Sequence, residues 1–263
     1  MTEVSSEVEA QARSANPWLN QGDAIKETKA GRLAIDYSRV IANHRVLFLA
    51  EDHSNHAIRQ HLVRHAADLR KAGITHYAIE ANEAGNVVFE KLGGNESVDL
   101  SQVDVGPGRA DYEEAIKAIA AQGIKVSAID VDRRSGLSEE DREARLEKNI
   151  HRLLQEDPNN KIAALIGSAH TSRNTDMLEG AHSVAKRLMK AGVSTTNVHF
   201  VGGESRRPMG ITGAVSKAAL ANQEFMLDFR SYANLATGVP FGKGEADWVI
   251  HLPQQVTSSL IIR

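Results

Sequence analysis

The chain has 263 residues, 41% of them hydrophobic and 25% charged, a balance ordinary for a globular protein with room for a substantial core. A formal charge of -3 without a long basic stretch gives no electrostatic footprint for nucleic acid or an anionic membrane. The absence of cysteine excludes disulfides, thiolate metal sites and cysteine nucleophiles together, leaving only nitrogen and oxygen donors for any metal.

Residues 1–30 are polar, mix both charge signs and show no apolar period, so a flexible N-terminal arm is expected there, with a single domain over 31–263. No basic start leads into an apolar run, and no stretch of about 18 apolar residues occurs. The expected setting is the cytoplasm, without a membrane span.

From Leu33 onward, short apolar runs rich in β-branched residues alternate with amphipathic stretches, the pattern of βα units. A helix is expected at 32–43, then strands at 45–50, 75–80, 124–130, 161–167, 197–202, 223–229 and 246–252. Helices are expected at 54–72, 110–122, 138–156, 175–191 and 213–221. Several strands are apolar on both faces, which fits a parallel sheet covered on each side. The expected fold is therefore α/β: three layers, with a mostly parallel sheet flanked by helices. Gly73, Gly123 and Gly192 each stand between a helix and the next strand, where a left-handed residue closes a helix. Segments 92–109, 203–212 and 233–244 read as irregular insertions that shape a pocket.

In open α/β sheets the residues just past the carboxyl ends of the strands line a common crevice. Strand one runs into Glu51, Asp52 and His53, strand two ends at Glu80, strand three at Asp130, and strand four in GSAH with His170. Asp52 is expected to cap the following helix. A cap needs only one short polar residue, however, and does not explain His or Glu at successive strand ends. His56, His61 and His65 form a second histidine group, the last two sharing a face at i,i+4. They lie in or beside the apolar arc of their helix without an HExxH motif, so they read as histidines bonded to protein partners, not as ligands. Ser168 lies in G-S-A-H, not in a nucleophile elbow, which argues against a serine hydrolase.

The run LFLAEDHSNHAIRQHLVRHAADLRKAGITHYAIEAN at 47–82 resembles the opening of the erythromycin-esterase, ChaN and TIKI/TraB superfamily. There a strand leads into G-E-x-H or G-x-x-H, a long helix follows, and the second strand ends in Glu; the matching residues here are Glu51, His53 and Glu80. DREARLEKNIHRLL at 141–154 is similar to the family's R-D-x-x-M-A-x-N-I helix, giving Arg142 and Asn149. IGSAHT at 166–171 matches the second G-x-x-H and gives His170, and GEADWVIHLP at 244–253 is similar to a closing strand. Ala50, Glu143 and Leu146 depart from the family's Gly, Asp and Met.

The resemblance implies hydrolysis or acyl transfer at an ester or amide bond of a small molecule or peptide. A water would be activated by His53 with Glu51, or by a divalent metal (Zn, Mn, Co or Fe(II)) held by Glu51, His53 and His170. Glu80 would orient a histidine or act as a second carboxylate. Arg142 would stabilise an oxyanion or clamp a carboxylate, and Asp130 and Asn149 would contact substrate. Alternatives on the same scaffold are a haem-binding protein without turnover, as the ChaN resemblance implies, a biosynthetic enzyme of different reaction type, or an interaction domain with a decayed site. For haem, Tyr37, Tyr77, Tyr112 and Tyr232 are the tyrosines available, and none sits in a haem motif.

Overall fold

The computed structural model describes residues 33–93, 99, 101, 103, 109–132, 135–173, 181–203, 223–228, 230 and 246–253. Seven strands form one sheet: β1 (Val46–Glu51), β2 (His76–Asn82), β3 (Lys125–Asp130), β4 (Ile162–Gly167), β5 (Thr195–Gly202), β6 (Phe225–Asp228) and β7 (Trp248–Leu252). All seven expected strands are present, within two residues of their expected ends. Their spatial order is β3-β2-β4-β1-β5-β7-β6, parallel throughout except for β6, which runs antiparallel to β7 at the edge.

The described helices are α1 (Tyr37–Ile41), α2 (His56–Arg64), α3 (Ala66–Lys71), α4 (Asn86–Gly93), α5 (Arg109–Ala120), α6 (Glu139–Glu156) and α7 (Val184–Lys190). The strands are apolar on both faces because each face meets its own helical layer. Leu47, Leu49, Tyr77, Ile79 and Leu165 join a core with Ile58 and Leu62 of α2 and Ile116 of α5. Val46, Phe48, Ala78, Ala164 and Ile166 join a second core with Leu146, Ile150 and Leu153 of α6 and Leu188 of α7. The period of two along each strand thus sorts neighbouring side chains into opposite layers. Among the described residues, no helix is long and apolar enough to cross a membrane.

The helices differ from expectation in several places. The helix expected over 54–72 is two, α2 and α3, parted at His65, whose φ of −105° and ψ of 14° leave helical geometry. Asn55, not Asp52, caps α2 by accepting from the Ala57 amide, while Asp52 accepts from the amide and hydroxyl of Ser54 in the preceding turn. Helix α1 is shorter than 32–43 and is capped by Asp36. Helix α4 was not anticipated; it stands where the polar residues after β2 give way to the apolar pattern of Val87, Val88, Phe89 and Leu92. Residues 1–32, 204–222, 231–245 and most of 94–108, with the expected helix at 213–221, lie outside the described residues.

At the β5 end, two glycines lie close to neighbouring chain. Gly202 has a φ of +88°, and a Cβ there would stand 2.3 Å from the Leu252 carbonyl oxygen of β7. Gly202→Ala combines left-handed strain with a backbone clash, so a loss of about 2–4 kcal/mol is expected. Urea denaturation followed by circular dichroism measures it.

Candidate functional site

The sheet order inserts β4 between β2 and β1, so the carboxyl ends carrying Glu80, Gly167 and Glu51 are immediate neighbours. Glu51 is paired in register with Gly167. The β2–β3 ladder shifts register between Ile79 and Asn82, across Glu80, an irregularity of the kind that re-aims a side chain at a strand end.

Glu80 is the meeting point. Its Oε2 accepts from the Gly167 amide at 2.8 Å and lies 3.5 Å from His53 Nε2. Its Oε1 accepts from Arg142 Nη2 at 2.7 Å and lies 3.7 Å from His170 Nε2. The two imidazoles from distant parts of the chain therefore converge on one carboxylate. Gly167 leaves the room for this: a Cβ on it would sit 3.2 Å from His53 Nε2 and 3.3 Å from Glu80 Oε2.

Each histidine carries a second carboxylate on its other nitrogen. His53 Nδ1 lies 3.0 Å from Glu51 Oε1, which also accepts from the Tyr112 hydroxyl at 2.5 Å, while Arg59 Nη1 holds Glu51 Oε2 at 3.1 Å. An ionised carboxylate only accepts, so Nδ1 carries the His53 proton that faces Glu51. Burial and then the Glu51 charge push the Tyr112 phenol far above its ordinary range, so it stays a donor. His170 Nδ1 contacts Glu143 Oε1, and Glu143 Oε2 accepts from the Val184 amide at 2.5 Å. The chain of contacts runs Glu51, His53, Glu80, His170, Glu143.

Burial favours the neutral form of His170, but hydrogen bonds to Glu143 and Glu80 and their charges more than reverse this and hold it up to about 10. Burial would likewise raise Glu80; the hydrogen bond and charge of His170, then His53 and the Gly167 amide, hold it far below the usual carboxylate range instead. Glu80 and His170 thus form a buried ion pair, whereas the His53 side chain is 32% exposed.

The other sequence-derived candidates take different places. Arg142 spends Nε and Nη2 on Asp130, at 3.0 and 2.6 Å, and shares Nη2 with Glu80; Nη1 lies 3.7 Å from Glu139. It positions Glu80. Asp130, 2% exposed, is committed to Arg142 and the Val131 amide, so the expected substrate contact is replaced by a structural one. Asn149 donates to Glu83 and to the Ile129 carbonyl, both at 2.8 Å, and braces β3 against the turn after β2. It also borders a surface groove with Glu83 and Arg145 and is not drawn into the Glu80 cluster.

The expected metal set of Glu51, His53 and His170 does not converge. Glu51 occupies the Nδ1 edge of His53, and the opposite edge faces Glu80, so no common point lies among the three donors. The haem alternative finds no axial tyrosine among the described residues. Tyr37 and Tyr112 are buried with their hydroxyls on His61 and Glu51, Tyr77 is 1% exposed, and Tyr232 lies outside the described residues. Three site residues were not foreseen: Glu143, Tyr112 and Arg59. Glu143 was legible as an acid on the buried face of α6, one turn before Leu146 and two before Ile150.

No protein-family model and no curated protein matches the sequence. Solved structures match in fold. A protein from Bacillus cereus superposes with a TM-score of 0.61 over 90% of this chain and 97% of its own, at 11% identity. A succinoglycan biosynthesis protein gives 0.60 over 89% and 96%, at 10% identity, and the type III effector HopBA1 gives 0.52 over 84% and 95%, at 14%. ChaN of Campylobacter jejuni, a structure reported for cofacial haem binding, reaches 0.46, too loose to bear on a ligand here. At these identities the likeness establishes the α/β fold alone.

The His170–Glu80 pair gives stability a definite pH dependence. Unfolded, the His170 ring has its ordinary value near 6.5, so the folded state's preference for the proton contributes in full below 6.5 and is lost as pH rises through about 10. Glu80 has the opposite sign: its contribution is present above its ordinary value of 4.5 and is lost only on acidification. The stability difference between wild type and His170→Gln is therefore expected to be flat near pH 5.5–6.5 and to shrink steadily toward about pH 10. Urea midpoints across that range check it; a difference unchanged up to pH 10 contradicts it.

Proposed function

We propose that this protein is a hydrolase or acyl transferase that acts on an ester or amide bond of a small molecule or peptide, with His53 as general base. The observation that carries this reading is the setting of His53. Its Nδ1–H is fixed on Glu51, its Nε2 lies 3.5 Å from Glu80, and its side chain is 32% exposed. A base of this kind works only when tautomer and direction are fixed, and Glu51, itself held by Arg59 and Tyr112, supplies both.

In the proposed step, His53 Nε2 takes a proton from water or a hydroxyl nucleophile as the nucleophile's oxygen bonds to the carbonyl carbon. The imidazolium so formed lies between the carboxylates of Glu51 and Glu80, which stabilise its charge. The proton then passes to the leaving alkoxide or amine as the C–O or C–N bond breaks. His170 and Arg142 do not take part in the transfer. They hold Glu80 ionised, so that it accepts the charge of His53 without competing for its proton.

The test uses p-nitrophenyl acetate and peptide p-nitroanilides as probes. His53→Gln is expected to lower kcat/KM by about 10²–10⁴, the usual share of a positioned general base. Glu51→Gln is expected to act on kcat more than on KM, because it disturbs the tautomer and not substrate binding. Wild-type turnover no faster than that of His53→Gln on every probe contradicts the assignment.

A further inference from the structure

His61 of α2 and His65 at the α2–α3 junction belong to a second cluster, separate from the Glu80 cluster. Among the described residues, the only group of three or more histidine, aspartate or glutamate side chains with ligand atoms all within 4.8 Å of one another is His61, His65 and Glu224. Glu224 immediately precedes β6, so the group links the α2–α3 junction to the antiparallel edge of the sheet. The kink at His65 lies at this point. The rings of His61 and His65 stand 4.4 Å apart, centroid to centroid.

The outer contacts of the group fix the direction of each side chain. His65 Nδ1 meets Asp68 Oδ2 at 2.7 Å and Nε2 meets Glu224 Oε2 at 3.0 Å; since a carboxylate only accepts, the ring donates from both nitrogens without an ion, and a cation would displace the Nε2 proton while Nδ1–H stays on Asp68. His61 Nε2 meets the Tyr37 hydroxyl at 2.7 Å; in the tautomer protonated at Nε2 that hydroxyl accepts the hydrogen bond and Nδ1 presents its lone pair. Glu224 Oε1 is held by Arg64, turning Oε2 toward the rings. Each ligand is thus oriented by an oxygen or guanidinium on its far side, as metal-bound histidines and carboxylates regularly are.

His61 supplies the second, independent observation. Its side chain is fully buried, and its Nδ1 lies 3.3 Å from Glu224 Oε2 but out of hydrogen-bonding alignment, so this buried ring nitrogen has no hydrogen-bond partner. Buried polar atoms are rarely left in this way without a reason. An ion among the three donor atoms would satisfy it. The reading of these histidines as bonded to protein partners accounts for both nitrogens of His65 and for His61 Nε2, and leaves His61 Nδ1 unexplained.

We infer that His61 Nδ1, His65 Nε2 and Glu224 Oε2 form a binding site for a divalent transition cation of the Zn²⁺ type, with a fourth position for water. Two imidazoles and one carboxylate match the preference of such ions for nitrogen and oxygen donors in a tetrahedral set. The ion would clasp the α2–α3 junction to strand β6, which pairs with β7 on one side and bridges Leu33 through Met226 on the other.

The experiment titrates chelator-treated protein with Co²⁺ and then Zn²⁺, following the visible Co²⁺ bands and the thermal unfolding midpoint. Wild type is expected to bind one equivalent of Co²⁺ with the intense bands of a tetrahedral site, to lose those bands to Zn²⁺, and to unfold at a higher temperature with Zn²⁺ present. His53→Gln is expected to behave as wild type, which separates this centre from the Glu80 cluster. Glu224→Gln should lose the bands and the thermal gain, with Zn²⁺ affinity down at least about tenfold. Should that variant fail to fold, His65→Ala, whose ring is partly exposed, carries the same comparison. Absence of the bands in wild type overturns the site, and so does wild-type binding in a folded Glu224→Gln or His65→Ala.

Discussion

One buried carboxylate organises the carboxyl edge of this sheet. Glu80 is almost wholly removed from water, and a charge in that position persists only when its partners replace the lost hydration. They do so from four directions: the Gly167 amide, the Arg142 guanidinium, and the rings of His53 and His170. Removing one partner would leave an uncompensated buried charge. The rest of the site therefore cannot be rearranged piecemeal: Asp130 is there to hold Arg142, and Glu143 to hold His170.

The sheet makes this arrangement possible through its strand order and its period of two. Because β4 lies between β2 and β1, residues far apart in the chain emerge side by side. Because adjacent residues of a strand face opposite layers, Glu51 points into the α2–α5 layer, toward Arg59 and Tyr112, while Glu80 points into the α6–α7 layer, toward Arg142. His53, just beyond the strand end, bridges the two layers across the sheet edge. The two histidines thereby receive unlike environments from like neighbours. His170 is enclosed between carboxylates and stays protonated, whereas the His53 side chain is 32% exposed.

All seven strands, and the convergence of Glu51, His53, Glu80 and His170, were legible in the sequence because both follow from local patterns. β-Branched apolar runs mark strands, and in an α/β sheet the strand ends share one crevice. What was not legible depends on helix faces and long-range pairing. Arg59 and Tyr112 are single polar groups in amphipathic helices, and only the packing of α2 against α5 brings them to Glu51. Asp130 and Asn149 stood at a plausible strand end and motif position, but tertiary contacts commit them to structural work. No local motif marks His61 and His65 as ligands, and their third partner, Glu224, lies 159 residues further along the chain from His65.

The central claim is that Glu80, together with Glu143, holds the proton on His170, and histidine-ring NMR titration of wild type and Glu80→Gln tests it most directly, with His170→Gln used to assign the His170 signal. In wild type the His170 ring should keep its proton well past neutrality, titrating near 10, and in Glu80→Gln it should titrate at least about one unit lower, since the variant removes an ionic partner of the ring. A His170 ring that titrates near 6.5 in wild type, or unchanged in Glu80→Gln, would contradict it.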